Sequence, residues 1–216
     1  MKRKYYSKNG LIILGGLLGI FSVFLYYISP LLGSWWYLSW EIFRGKYDIY
    51  INAFGCNNEE KQILDKKAFY VGVLVLIGSV LAIIGGMRRL LSLSFVSSLI
   101  ILIGIFLFLN IIYHSNELNN LCREYDLQKI RGSKIFFGER EEFSWGLGIG
   151  FFIALTAGFL ILIVSIVNIV KNLFKKHRET LYEKIKMIYH QSEESKKSNL
   201  QRLESGKLEI NKVVGS

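Results

Sequence analysis

The fold is decided by residues 68–113, which read AFYVGVLVLIGSVLAIIGGMRRLLSLSFVSSLIILIGIFLFLNIIY. Two apolar blocks, 68–86 and 90–113, flank the short basic sequence 87–89. An α-helix needs about 20 residues to cross roughly 30 Å of hydrocarbon. Each block has that length and contains no Asp, Glu, Lys, Arg or His. The stretch therefore predicts two antiparallel membrane-spanning helices joined by a tight turn.

Two further apolar blocks continue this pattern on both sides. They cover residues 11–32 and 145–170, and they also lack charged residues. With hydrophobic residues at 51% of 216, a soluble globular fold is excluded. The sequence predicts an all-α membrane protein, an antiparallel bundle of four transmembrane helices with a small extracellular α+β cap.

The charged residues are divided unequally between the two sides of the predicted bundle. Segments 1–10, 87–89 and 171–216 carry 17 basic and 6 acidic residues, whereas loops 33–67 and 114–144 carry 10 basic and 11 acidic residues. Basic residues that flank spans are retained in the cytoplasm. We therefore expect a multi-pass protein of the cell membrane, with both termini in the cytoplasm and both long loops outside.

The net charge of +10 is thus explained without a nucleic-acid partner. Basic side chains next to the spans attract the anionic lipid of the inner leaflet. The candidates for headgroup contact are Arg88, Arg89, Lys171, Lys175, Lys176 and Arg178.

All four tryptophans lie near the outer ends of the predicted spans, where amphipathic rings are favoured. We expect them to be interfacial aromatic residues. They are Trp35, Trp36, Trp40 and Trp145.

Small residues recur at every fourth position within the spans. This spacing lets helix backbones approach closely in lipid. Two interpretations stay open: a compact bundle of this chain, and a seam with a second copy or another subunit. The helix-packing candidates are Gly15 and Gly19 in the first span, Gly78, Ala82 and Gly86 in the second, and Gly146, Gly150, Ala154 and Gly158 in the fourth.

The two outer loops are long enough to fold together into the cap. Apolar residues alternate over 36–40 and 47–51, with a glycine turn at 44–46 between them, which predicts a β-hairpin. Residues 134–137 are bounded by glycines and predict a short third strand.

Short helices are also predicted in these loops, because suitable capping residues precede them. One begins at Asn57 or Asn58 and runs through Leu64. The other begins at Ser115 and runs to about Tyr125.

The only two cysteines, Cys56 and Cys122, lie in different outer loops. In an oxidising exterior we expect a disulfide between them, which would stabilise the cap by roughly 2–4 kcal/mol. Free thiols and intermolecular pairing stay open as alternatives.

Four spans, inner termini and a tryptophan-rich first loop with strands resemble the claudin-like group of tetraspan proteins, which includes the peripheral myelin proteins. That group carries a Gly-Leu-Trp motif and two cysteines in the first loop. This chain has Gly33–Ser34–Trp35–Trp36 and the single Cys56 there. The resemblance implies the architecture only.

The cytoplasmic tail is expected to continue the fourth helix over residues 171–192 and then to be mobile over 193–216. Leu181, Ile185 and Ile188 form a narrow apolar stripe on this helix. The stripe can lie on the inner surface of the bundle, on lipid or on a partner.

The functional expectation is a non-enzymatic membrane scaffold or interaction protein without cofactor or metal. A proton relay or an ion path requires charged residues or histidine within the spans, and the spans contain no Asp, Glu, Lys, Arg or His. The chain also contains no Walker loop, HExxH or GxSxG motif. The expected partners are the lipid bilayer and either a homo-oligomer or other membrane-protein subunits. The alternatives are an accessory subunit of a respiratory or transport complex, and a channel or lipid-handling protein.

Overall fold

The computed structural model describes residues 3–42, 45–56, 64, 66–116, 118, 120, 136–140 and 143–214. The chain forms two compact units, Met1–Ile169 and Val170–Ser216. The first unit holds the bundle and a small sheet, and the second is helical.

Four of the helices in the described part are long and apolar enough to cross a membrane, which confirms the predicted fold class at that level. The candidate spans are Asn9–Ile28, Ala68–Arg88, Leu91–His114 and Ile149–Glu193. The helices are α1 (Arg3–Ile28), α2 (Pro30–Gly33), α3 (Ala68–Arg88), α4 (Leu91–His114) and α5 (Ile149–Val214).

The first span ends at Ile28, four residues before the predicted Leu32. Pro30 causes the break, because the residue before a proline is disfavoured in the helical conformation. Ser29 accordingly has φ −147° and ψ 104° and caps the one-turn helix α2, where its hydroxyl accepts a hydrogen bond from the Leu32 amide.

A small antiparallel sheet accompanies the bundle, as predicted, but it has four strands rather than three. Its strands are β1 (Trp36–Ile42), β2 (Gly45–Ile51), β3 (Phe137–Arg140) and β4 (Phe143–Leu147), in the order β2-β1-β4-β3.

The hairpin β1–β2 matches the predicted apolar alternation. Gly45 and Lys46, which were predicted as turn residues, belong to β2 and lie opposite Ile42 and Glu41. The third predicted turn residue, Arg44, lies outside the described residues.

The second loop contributes two strands rather than the single one predicted at 134–137. Strand β3 begins at Phe137, and β4 includes residues 145–147, which were assigned to the fourth span. Gly146 therefore lies in β4, opposite Tyr37, and not in a helix. A continuous apolar run does not reveal where alternating strand residues give way to a helix, so the boundary was missed by four residues.

Other predictions fall partly outside the described residues. The predicted helix from Asn57 or Asn58 lies there except for Leu64. Ser115 does act as a cap, because its hydroxyl accepts a hydrogen bond from the Leu118 amide at 3.0 Å. In the tail, the backbone is helical as far as Val214, and the predicted mobility of 193–216 stays a prediction.

Candidate functional site: the sheet end of the bundle

The small residues of the spans are placed between helices of this same chain. A Cβ added at Gly78 would lie 2.7 Å from Ile101 Cγ1 and 2.9 Å from the Ser97 carbonyl oxygen, so α3 and α4 touch there. A Cβ at Gly15 would lie 2.6 Å from Ile161, so α1 touches α5 in the same way. The described contacts therefore support the compact-bundle interpretation of the glycine pattern.

The other candidates follow the same rule, except that Gly146 lies in the sheet. Gly19 meets Ser79 and Ala157, and Gly86 meets Ile13, while Gly158 meets Leu102. Ala82 and Ala154 are buried. The sequence pattern missed Gly16, Gly85 and Gly104, which make equivalent contacts.

Serine hydroxyls inside the bundle are bonded to their own helices. Ser79 donates to the Val75 carbonyl at 2.6 Å, and Ser97 donates to the Ser94 carbonyl at 2.7 Å. Ser165 differs, because its buried hydroxyl has no hydrogen-bond partner in the described part of the chain. Such local bonds satisfy the hydroxyls of Ser79 and Ser97 within their own helices.

Trp35 connects the bundle to the sheet. Its indole N–H donates to the Ser22 carbonyl of α1 at 3.1 Å, and its ring packs edge-on against Phe108 of α4 and Phe151 of α5, with centroids 5.0 and 5.9 Å away. Its backbone N–H donates to the Ile51 carbonyl of β2 at 2.7 Å. One residue thus contacts three helices and a strand.

Backbone approach tightens this junction further. The Gly150 N–H donates to the Ser34 carbonyl at 2.9 Å, and the Gly148 N–H donates to the Trp35 carbonyl at 3.0 Å. A Cβ at Gly150 or Gly33 would collide with backbone atoms, so glycine is required for this packing. The Tyr26 hydroxyl adds a hydrogen bond to the Tyr50 carbonyl at 2.8 Å.

Three of the four tryptophans that were predicted to be interfacial are buried. Trp35 and Trp36 are 0% exposed and Trp145 is 8% exposed, so these rings pack inside the protein rather than against lipid headgroups. The side chain of Trp40 lies outside the described residues. Large indoles fill a core as readily as an interface, and composition alone did not separate the two uses.

The exposed aromatic residues at this end of the bundle are tyrosines and phenylalanines, which the prediction missed. Five of them lie where α1 and α4 end and where α3 and α5 begin, and the sixth, Phe137, begins β3 and stacks on Phe152. The positions of those five at the ends of the apolar blocks could have identified them. This aromatic rim consists of Tyr27, Phe69, Tyr70, Tyr113, Phe137 and Phe152.

The sheet has one buried and one half-exposed face. Trp36, Leu38 and Ile51 are fully buried, whereas the alternate residues Tyr37 and Tyr50 are partly exposed. Burial, with a smaller contribution from a hydrogen bond to the Asp48 carboxylate and from its charge, raises the pKa of the Tyr50 phenol to about 12.

A compact turn follows the sheet. The buried side-chain oxygen of Asn52 accepts hydrogen bonds from the amides of Phe54 and Cys56, at 2.9 and 3.0 Å. This turn fixes the backbone of Cys56. Cys122 lies outside the described residues, so the disulfide between the two stays a prediction.

The basic candidates are exposed at the opposite end of the bundle and on the second unit. Arg88 and Arg89 end α3, and Arg89 adopts the left-handed conformation with φ 59° as the helix stops. Lys171, Lys176 and Arg178 are exposed on α5. Lys175 is also exposed, and its Nζ lies 3.6 Å from Oε1 of Glu179.

The described residues contain no cluster of three or more His, Cys, Asp or Glu side chains that could hold a metal ion. Protein-family models give no match to this chain. The curated proteins include no significant match either.

Proposed function

We propose that this protein is a non-enzymatic membrane scaffold that presents its sheet, outside the cell, to another protein, a second copy or the cell envelope. Both termini lie in the cytoplasm in this proposal. The observation that carries it is the Trp35 junction, which joins the sheet to α1, α4 and α5. A sheet held in this way keeps a fixed orientation at the end of the bundle, as a presented binding surface requires.

The interior of the bundle supports the same proposal. Neighbouring helices pack directly against its glycines. Its described serine hydroxyls, apart from Ser165, donate hydrogen bonds to carbonyls of their own helices. Close packing of this kind suits a rigid support. The proposal includes a tetraspan, claudin-like arrangement of the four spans and the sheet. It takes no activity or partner from that resemblance.

The orientation is tested by labelling intact cells with an impermeant amine reagent. The charge distribution leads us to expect reaction at Lys61 and Lys134 but not at Lys2 or Lys196. Permeabilised cells provide the control, because all four lysines should then react. Labelling of Lys196 in intact cells would contradict the proposed orientation.

The binding role is tested with a photo-crosslinking amino acid placed at one position of the full chain in cells. Glu139 is exposed on β3, and Ile103 is 55% exposed on α4, so they sample the sheet and the lipid-facing bundle. We expect a discrete protein adduct from Glu139 and none from Ile103. Adducts from Ile103 alone would instead favour an accessory subunit of a larger complex.

Activity of the purified protein alone would contradict the scaffold proposal. Conductance and lipid transfer in liposomes are the two measurements that address the channel and lipid-handling alternatives. We expect neither to rise above the level of protein-free liposomes.

A further inference from the structure

The aromatic rim is distributed over all four spans. Each span contributes at least one ring at the end of the bundle that carries the sheet, and these rings are between 43 and 64% exposed. They are Tyr27 on α1, Phe69 and Tyr70 on α3, Tyr113 on α4 and Phe152 on α5. Exposed apolar rings at this density mark a surface that another medium or molecule covers.

The arrangement of the spans indicates what covers the rim. Helix α1 packs on α3 through Gly16 and on α5 through Gly15. Helix α4 packs on α3 through Gly104 and meets Gly158 of α5. The four spans thus form a closed ring, and their rim residues face different sides of the bundle. A protein partner covers one side of a bundle, whereas a lipid leaflet surrounds all of them, so the distribution favours lipid.

Phe137 extends the rim from the spans to the sheet. Its ring is 58% exposed and stacks on Phe152, with centroids 6.2 Å apart and planes inclined by 21°. On β4 it lies opposite Gly146, where an added Cβ would lie 3.0 Å from its Cδ1 atom. The preceding Phe136 stacks on Tyr113 of α4 at 6.3 Å. The exposed apolar surface of the spans is therefore continuous with the start of β3.

Strand β3 leads away from the spans. Strand β4 ends at Leu147, just before α5 begins at Ile149, and β3 is antiparallel to β4. Phe137 is therefore at the end of the sheet nearest α5, and the exposed Glu139 is two residues farther away on the same face. Two strand residues span about 7 Å, which is about the thickness of one headgroup region. An apolar end and a charged end thus match the two sides of that region.

The opposite edge of the sheet also has exposed apolar neighbours. The one-turn helix α2 lies beside β2, and its Leu31 and Leu32 are 57 and 44% exposed. Ile28, which ends α1, is 78% exposed. Because β2 and β3 are the two edges of the sheet, lipid at this level would cover apolar residues beside both edges.

We propose that the sheet lies on the membrane surface, with Phe137 and the two α2 leucines inserted into the lipid leaflet at that end of the bundle. The boundary between headgroups and acyl chains is where amphipathic and aromatic side chains are favoured. Phe137 contacts lipid while Glu139 stays in water, so the sheet has a fixed depth as well as a fixed orientation. This inference goes beyond the scaffold role, and it holds for either orientation of the bundle.

The first test measures depth with nitroxide labels on the full chain in liposomes. In a background with Cys56→Ser and Cys122→Ser, Phe137→Cys and the matched control Glu139→Cys place a label on the same face of the same strand. We expect the ratio of oxygen to nickel-chelate collisions to be severalfold higher at position 137. Equal ratios at the two positions would overturn the proposal. Shielding of position 137 from both reagents would also overturn it, because protein would then cover that position.

The second test keeps both native cysteines and uses a photo-crosslinking phenylalanine derivative in cells. At Phe137 this residue preserves the aromatic ring, and Ile103 provides a lipid-facing control within the bundle. We expect the mass of a phospholipid to be added at Phe137 and Ile103, and severalfold less of it at Glu139. A protein adduct at Phe137 without a lipid adduct would overturn the proposal.

The two crosslinking positions on β3 separate this inference from the scaffold proposal. Absence of a protein adduct at Glu139, with the lipid adduct at Phe137 retained, would count against the scaffold role alone. A protein adduct at Glu139 with no lipid adduct at Phe137 would count against insertion of the sheet alone.

Discussion

The spans and the hairpin β1–β2 differ in the sizes of the residues that they bury. Where helices cross, small residues such as Gly78 and Ala82 are buried together with large ones such as Ile101. In the described part of the hairpin the fully buried residues, Trp36, Leu38 and Ile51, are all large. Both regions are closely packed, but only the helix crossings combine small residues with large ones.

The difference follows from the solvent that each region excludes. Lipid is as apolar as leucine, so helices in a bilayer gain little from burying large side chains and associate through close backbone approach. A sheet in water gains about 25 cal/mol for each Å² of apolar surface that it buries. The small residues at the helix crossings therefore match the packing expected of helices in lipid.

The largest expected effect comes from Trp35→Ala, which removes the residue that joins both regions. It deletes the hydrogen bond to Ser22 and the ring contacts with Phe108 and Phe151. We expect the free energy of unfolding to fall by about 3–5 kcal/mol. Denaturation in detergent, followed by tryptophan fluorescence and circular dichroism, measures it.

Trp35→Phe is the control for this variant, because it keeps a ring and loses only the N–H donor. We expect a smaller loss, of about 1–3 kcal/mol for the lost hydrogen bond to Ser22 and the reduced volume. An unfolding free energy unchanged by Trp35→Ala would mean that the junction does not hold the two regions together.

The second effect concerns the predicted bond between Cys56 and Cys122. If it forms, Cys56→Ser should lower stability by about 2–4 kcal/mol and loosen the sheet region before the bundle. Mass spectrometry of the unreduced wild type decides the question directly. Two alkylatable thiols in freshly isolated membranes would show that the prediction is wrong.

The third effect tests close helix approach within the spans. Gly78→Ala adds a methyl group where Ile101 and the Ser97 carbonyl leave no room, so α3 and α4 must separate. We expect a loss of about 1–3 kcal/mol, which is typical of overpacking. Steric trapping or denaturant titration in detergent provides the measurement.

Gly10→Ala is the matched control, since a Cβ at Gly10 meets nothing within 4 Å. We expect no loss, because alanine favours a helix over glycine by about 1 kcal/mol. Equal destabilisation by the two variants would contradict the assignment of Gly78 to a helix contact.

The smallest expected effect is the pH dependence of the stability of the sheet. The pKa of Tyr50 is raised to about 12 by burial and by Asp48, so its phenol stays protonated in the folded state at pH values where an ordinary tyrosine ionises. The stability it contributes is complete below its unfolded pKa of about 10 and is lost as pH rises through about 12.

The absorbance difference at 295 nm between wild type and Tyr50→Phe isolates this titration, with circular dichroism as the check for unfolding. Asp48→Asn should lower the midpoint but leave it raised, because burial remains. A wild-type midpoint near 10 in the folded protein would show that Tyr50 is not buried as described.

Sequence patterns predicted the parts of the fold that depend on local periodicity. Charge-free runs of about 20 residues gave the spans, and alternation over 36–40 and 47–51 gave the hairpin. The same runs hid the β4 strand, because Phe143, Trp145 and Leu147 are as apolar as the helix that follows them. The same kind of run also placed the end of the first span at Leu32, although Pro30 ends α1 at Ile28.

The site was predicted less well than the fold. The glycine spacing indicated close helix contacts, but it did not say whether the neighbour was this chain or another. That is a tertiary property, and it was decided by pairs such as Gly15 with Ile161 and Gly158 with Leu102. The role of Trp35 was also invisible, because its partners Ser22, Phe108 and Phe151 are distant in sequence.

By itself, the sequence determined the number of candidate spans, their charge asymmetry and the presence of a hairpin, because each of these is written in residue type at short spacing. Only the tertiary structure decided which small residues touch, which aromatic rings are buried and which are left on the rim. Those outcomes depend on which helices become neighbours. Neighbours are selected by the fit of whole surfaces, which no local pattern contains.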